Sequence, residues 1–196
     1  MKKIIEHYDL LIDENNDPVN DPFELQEYMD KWDGPSFLSE LNLDENKDVL
    51  EIGVGTGRLA IKVINNCKSF TGIDVSKKTI ERAYSHLHKF SPILICDDFL
   101  DYHFDEKYDV IYSSLTFMHF KDKGKVLNKI YNILKDDGRV VISISKDQNN
   151  IIDYGSRQIE IYPINKYGFL YYIYEQDFKL EKTFEVEFAN IFVLRK

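Results

Sequence analysis

Three glycines stand at alternate positions, Gly53, Gly55 and Gly57, between the run Val49-Leu50-Glu51-Ile52 and Arg58. Without a Cβ, glycine turns tightly and lets a ligand lie against bare backbone. The spacing is G-x-G-x-G. It differs from the G-x-G-x-x-G that sets a helix N-terminus on a pyrophosphate, and from the G-x-x-x-x-G-K-[ST] of a phosphate-cradling loop. Glu51, two residues before the first glycine, would oppose a pyrophosphate and suits a ligand bearing an amino group. Asp74 lies seventeen residues past Gly57, after a second apolar run. An acid there can accept hydrogen bonds from both hydroxyls of an unphosphorylated ribose. It can equally favour the entrance of a helix that begins after Ser76.

Elements must hold these residues in place. Residues 49–52, 69–73, 92–96, 108–113 and 139–145 read as buried strands, and helices over 59–64, 76–89 and 122–134 alternate with them. On the middle helix Ser76 is the expected N-cap, and Ile80, Ala83, Tyr84 and Leu87 recur on one face. Gly138 occupies the position expected of a glycine that terminates a helix. This βαβα order with continuous apolar strands predicts an α/β fold with a parallel, doubly wound sheet. Farther on, a strand over 158–162 and an aromatic-rich helix over 165–175 precede two consecutive strands, 179–188 and 189–195. Those two have no room for a crossover and should be antiparallel. Residues 1–44 stand outside the alternation: 13–21 is polar and turn-rich, and 22–33 and 35–43 read as short helices. We therefore expect one domain over 1–196, with 1–44 an N-terminal helical extension and 45–196 the core.

Composition narrows the partners. The chain has 196 residues, 25 basic and 34 acidic, for a net charge of −9. An acidic chain gains little from counterion release, which disfavours nucleic acid and anionic membrane. Cys67 and Cys96 are too few for a disulfide framework and read as free thiols. No signal-peptide pattern is expected near the start, and apolar runs of about five residues fall far short of the roughly 20 needed to span a bilayer. A cytoplasmic location is the expectation. His86 and His88, two apart on a helix, make a poor metal pair, and no metal is expected. Lys121, Lys123 and Lys125 read as a solvated face.

In these motifs the sequence resembles the class I S-adenosylmethionine-dependent methyltransferases, over residues 49 to about 145 and the last strand pair. Glu51-Ile52-Gly53-Val54-Gly55-Thr56-Gly57 looks like the family's first motif, and Gly72-Ile73-Asp74-Val75-Ser76 its second. Cys96-Asp97-Asp98-Phe99 resembles the segment that meets adenine, Tyr108-Asp109-Val110-Ile111-Tyr112-Ser113-Ser114 the fourth strand, and Leu134-Lys135-Asp136-Asp137-Gly138-Arg139 the turn before the fifth. The resemblance implies a seven-stranded Rossmann-like sheet of order 3-2-1-4-5-7-6 with strand 7 antiparallel. It also implies a cofactor, S-adenosylmethionine, with S-adenosylhomocysteine as product.

By that resemblance Gly53, Gly55, Thr56 and Gly57 line the methionine part of the cofactor, Glu51 addresses its amino group and Asp74 its ribose. Val75 packs on adenine, and Phe99 with Asp97 or, as we favour, Asp98 reads the adenine edge. Ser113 and Ser114 lie near the methyl sulfonium. His119, on the loop after the fourth strand, is the candidate proton acceptor, against the alternative of a loop histidine held by backbone. The acceptor pocket must come from outside the common core. An extension docked over the carboxyl ends of the strands would act as a lid, and Tyr8 and Trp32 are its candidate substrate residues. The fourth strand ends Ser-Ser-Leu-Thr, not in the Asn/Asp-Pro-Pro-aromatic quartet of adenine and glutamine amide methyltransferases, which favours a small-molecule acceptor methylated on O or N. Alternatives are a non-catalytic S-adenosylmethionine-binding regulator and, disfavoured by the glycine spacing, an NAD-dependent oxidoreductase.

Overall fold

β-branched and aliphatic runs with few polar interruptions can be buried on both faces, and that burial builds the central sheet. The structure, a computed structural model, describes residues 2–196. The central strands are β1 (Asp48–Ile52), β2 (Ser69–Asp74), β3 (Ile93–Cys96), β4 (Tyr108–Ser113) and β5 (Leu134–Ser145). All five are parallel. With β8 (Lys179–Glu185) and β9 (Ala189–Arg195) they form one seven-stranded sheet of order β3-β2-β1-β4-β5-β9-β8. β9 runs antiparallel to both neighbours, as its short connection to β8 requires. This is the order and polarity expected from the sequence.

Alternate side chains of one strand enter two cores. Val49, Val110, Tyr112 and Val141 pack on the side of α3 (Gly34–Ser39), α4 (Ala60–Val63) and α5 (Lys77–Leu87). Leu50, Ile52, Ile111 and Ile142 pack on the side of α6 (Lys123–Ile133) and α7 (Lys166–Glu175). Side-chain caps start these helices where expected: Ser76 accepts from Thr79 N, Asp122 from Lys125 N and Asn165 from Gly168 N.

Several local expectations change. β3 is an edge strand, and Ile93 is 58% exposed. On α5 the buried face is Thr79, Ala83 and Leu87, while Tyr84 points to solvent. Gly138 ends no helix: α6 stops at Ile133, Leu134 is already extended, and the left-handed residue is Asp137 at φ +59°. Gly138 lies within β5, where a Cβ would come 2.6 Å from Leu134 Cγ. The strand expected over 158–162 is shorter, and its place is outside the main sheet. Here β7 (Gln158–Glu160) pairs with β6 (Ile151–Asp153) as a separate hairpin. Lys123 faces inward and is 3% exposed. Its Nζ donates to the carbonyls of Phe117, Phe120 and Tyr162, and loss of hydration draws its pKa down to about 8.

Residues 2–44 contain α1 (Lys2–Asp13), α2 (Phe23–Met29) and α3. A ladder of acids fixes the first of these. Asp9 accepts from the Ser76 hydroxyl and Lys78 N, Asp13 pairs with Lys78 Nζ, and Asp17 pairs with Arg82 and His86. Acids spaced by four thus meet bases spaced by four on α5. His86 serves this ladder, and among the described residues no cluster could hold a metal ion.

A second tether is buried. Asp33, 0% exposed, accepts Arg58 Nη1 at 3.1 Å and Nη2 at 2.5 Å, the Ser114 hydroxyl at 2.7 Å and Gly34 N at 2.6 Å. Removing one partner of such a pair leaves a buried charge uncompensated, which typically costs about 3–5 kcal/mol. Asp33→Ala is accordingly expected to destabilise the protein by that amount in urea unfolding. Glu6→Ala, which removes only the exposed pair with Lys2, should change stability by less than about 1 kcal/mol.

Candidate active site

The carboxyl ends of β1, β2 and β4 open onto a cavity of about 530 Å³. From β1 and its loop come Glu51, Gly53, Gly55, Thr56 and Arg58; from β2 and its exit, Asp74 and Val75. The turn after β3 adds Asp97, Asp98 and Phe99, and the loop after β4 adds Ser114, Thr116 and His119. Tyr8, Leu11 and Asp21 of the extension close the opposite side with Leu25, Tyr28 and Met29. The sequence-predicted residues thus meet, with three exceptions. Gly57 is outside the wall; its φ is +98°, and a Cβ there would stand 3.1 Å from Leu87, so it seats the loop against α5. Ser113 is buried, with its hydroxyl donated to Ile52 O at 2.9 Å. Trp32 lines a neighbouring cavity of about 390 Å³.

The loop's two other glycines have different reasons. At Gly53, φ is +77° and a Cβ would overlap Thr116 Oγ1 at 2.0 Å. At Gly55, φ is +56° and none of the described residues lies within 4 Å of a Cβ. Gly53 is bare because protein approaches it; Gly55 is bare toward the cavity.

Asp74 accepts Gly55 N at 3.1 Å through Oδ2 and Ser76 N at 3.0 Å through Oδ1. It therefore ties the glycine loop to the entrance of α5, yet each oxygen keeps a lone pair for a ligand hydroxyl. Burial raises its pKa, and the backbone N–H donors oppose that rise. In Asp98, Oδ1 accepts Leu100 N, and Asp97 Oδ1 accepts Asp98 N. Glu51 is buried, and its Oε2 accepts the Tyr112 hydroxyl at 2.7 Å. Desolvation lifts its pKa to about 8 against the opposing effects of Tyr112 and Arg58.

His119 is tied to the extension: its Nε2 lies 2.7 Å from the Tyr8 hydroxyl. Burial lowers the imidazole to a pKa of about 4, so the ring is neutral at pH 7. Nδ1 is buried without a partner. Whichever tautomer the ring adopts, a buried donor or acceptor stays open there. Burial raises the Tyr8 phenol, which keeps its proton. The Tyr8–His119 contact and the Asp33 tether were beyond sequence reasoning. The acid ladder had a signal, the matched four-residue spacing of Asp9, Asp13 and Asp17 with Lys78, Arg82 and His86.

Residues 50–142 match the family model described as a methyltransferase domain. The malonyl-[acyl-carrier protein] O-methyltransferase of Acetivibrio thermocellus is 31% identical over 112 residues, 55% of this chain and 40% of that protein. The phosphoethanolamine N-methyltransferase of Plasmodium falciparum is 31% identical over 111 residues, 54% of this chain and 42% of its own length. The chain spans well under half the length of these curated relatives. Among solved structures, an S-adenosylmethionine-dependent methyltransferase from Clostridium acetobutylicum superposes with a TM-score of 0.70 at 17% identity, covering 99% of this chain and 98% of that one. The N-methyltransferase NodS of Bradyrhizobium japonicum, in complex with S-adenosyl-L-homocysteine, gives 0.67 at 18% identity over 90% and 89%. The matched segment, just under half of the chain, is similar to a methyltransferase domain, and the fold is that of S-adenosylmethionine-dependent methyltransferases of known structure.

Glu51 yields a signed prediction. Between about pH 4.5 and 8 the folded protein holds a proton that the unfolded chain has lost, so this group erodes stability as pH rises through that window. Glu51→Gln removes the cost. Its Tm at pH 8 is expected to exceed that of the parent by at least about 2 °C, and the two should converge near pH 4. Scanning calorimetry at both pH values checks this, and an offset independent of pH contradicts it.

Proposed function

We propose that the protein binds S-adenosylmethionine in the larger cavity and transfers its methyl group to an oxygen or nitrogen nucleophile of a small molecule. One observation carries the reading. A single cavity presents a diol acceptor (Asp74), an acid for an ammonium (Glu51) and an open glycine face (Gly55). The residues fit the cofactor: Glu51 for its amino group, Asp74 for the ribose, Val75, Asp98 and Phe99 for adenine. Ser114 and Thr56 flank the methionine chain. The relatives named as an O- and an N-methyltransferase support either nucleophile. Both act on acceptors of their own, so neither supplies the acceptor here.

Bound S-adenosylmethionine supplies a methyl carbon on a sulfonium, already activated toward a lone pair. The chain's task is then to align and exclude water, and alignment alone can lower a barrier by roughly 7–11 kcal/mol. The extension covers the cavity, and its Tyr8 fixes the His119 ring. A neutral imidazole of low basicity does not ionise the nucleophile in advance. It accepts the proton that an alcohol oxygen sheds as its new bond forms, whereas an amine attacks as its free base and needs no such base in the step.

Calorimetric titration should show binding of S-adenosylmethionine and S-adenosylhomocysteine and little of NAD or ATP. Asp74→Ala should weaken that binding at least about tenfold, since hydrogen bonds to a charged group contribute roughly 1.5–3 kcal/mol each. Unchanged affinity would remove the ribose role. A bound cofactor that is never converted to S-adenosylhomocysteine in a metabolite extract would favour the non-catalytic regulator.

For the lid, Tyr8→Phe deletes the hydroxyl at His119 and nothing else. Methyl transfer is expected to fall at least fivefold, with cofactor affinity changed less than twofold and Tm nearly constant. If Tm and activity decline in step, the extension is packing and the acceptor contacts lie elsewhere.

A further inference from the structure

The second cavity shares a wall with the first. Tyr28, Leu115, Thr116, Met118, Ile152 and Tyr154 border both. On the far side lie Trp32, Ile144, Ile161 and Pro163. Besides the phenols of Tyr28 and Tyr154 and the indole N–H of Trp32, the chamber holds three hydroxyls, and these are committed. The Ser143 hydroxyl donates to Trp32 O at 2.5 Å, the Thr116 hydroxyl donates to Ser114 O at 3.0 Å, and Ser145 Oγ accepts Asp147 N at 3.1 Å. No lysine, arginine or histidine is among the residues lining this chamber, and its one charged side chain is Asp147. In the first cavity the one guanidinium, Arg58, is held by Asp33. A carboxylate or phosphate entering the second chamber would lose its hydration, find no cation and face an acid. An apolar body loses nothing there. His119, whose buried Nδ1 has no hydrogen-bond partner, lines the first cavity next in sequence to Met118 of the shared wall.

We propose that the second chamber holds the apolar body of the methyl acceptor, an uncharged alcohol or an amine that reacts as its free base, without any anionic group, whose polar end passes Thr116 and Met118 of the shared wall toward the first cavity. This assignment rests on the first cavity being the cofactor site. It explains why one chain needs two contiguous chambers. It also separates the acceptor by charge from acids and phosphate esters.

Trp32 is the single tryptophan of the chain and lines the second chamber only, so its fluorescence reports occupancy of that chamber. With S-adenosylhomocysteine first titrated by calorimetry to fill the larger cavity, the emission is followed as benzyl alcohol, phenethylamine or phenylacetate is added. These three share a ring and differ in charge. Saturable changes are expected for the alcohol and the amine, with phenylacetate at least tenfold weaker. Asp147→Lys places a cation at the exposed rim and should narrow that gap at least fivefold, leaving S-adenosylhomocysteine binding unaltered. If S-adenosylhomocysteine binds but no probe gives a saturable change, or phenylacetate binds as well as benzyl alcohol, the acceptor assignment is overturned. Failure of S-adenosylhomocysteine to bind overturns the reading of the first cavity instead, and with it the acceptor role of its neighbour.

Discussion

The buried Asp33–Arg58 pair is the constraint on which the site's architecture depends. Arg58 leaves the glycine loop, and Asp33 is the cap of α3 in the extension. Two charges taken out of water must be mutually satisfied, so folding of the core cannot leave the extension undocked. Ser114 joins them from the end of β4. The chain on either side of Asp33 is fastened as well: Trp32 O accepts the Ser143 hydroxyl, and Lys31 O accepts Phe188 N. One short segment thereby gathers the loop after β1, the ends of β4 and β5, and the turn between β8 and β9. The roof over the cavity is anchored at its C-terminal end by this cluster and along α1 by the acid ladder.

That arrangement fixes the electrostatics of the larger cavity. Glu51, Asp74, Asp97, Asp98 and Asp21 all line it, and the guanidinium present is spent on Asp33. A ligand with a positive centre relieves the mutual repulsion of these acids, and Glu51 in particular is desolvated to the point of holding a proton at neutral pH. An ammonium placed beside it would favour the charged form of the carboxyl.

The two sides of the larger cavity differ in how they are held. One consists of strand ends and tight turns of the sheet. The other is assembled from α1, the segment that follows it, the β6–β7 hairpin and the loop after β4. Arg157 crosses between these pieces, donating to His7 Nδ1 at 2.8 Å and to both oxygens of Glu14. Lys123 pins the turn that carries His119 through three carbonyls. Positioning therefore comes from long-range polar contacts between elements with small cores of their own.

The sequence alone determined what repeats locally: the strand and helix periods, the cap at Ser76, the glycine loop, and Glu51 and Asp74 beside it. Even the strand order followed, because these motifs resemble a family whose sheet is fixed. Lys123 was misread because burial of a lysine depends on three carbonyls brought from residues 117, 120 and 162, which no spacing reveals. Gly138 was misread because its reason is a close approach to Leu134, not the end of a helix. Gly57, Ser113 and Trp32 carry the right residue types at the right ends of elements. Gly57 is turned to Leu87 of α5, the Ser113 hydroxyl is taken by Ile52 O, and the Trp32 ring packs against Tyr28 and Phe188. The pairing of Asp33 with Arg58 and of Tyr8 with His119 spans 25 and 111 residues of chain. Only the tertiary structure closes such distances, since their partners are chosen by burial of the whole extension and not by any local preference.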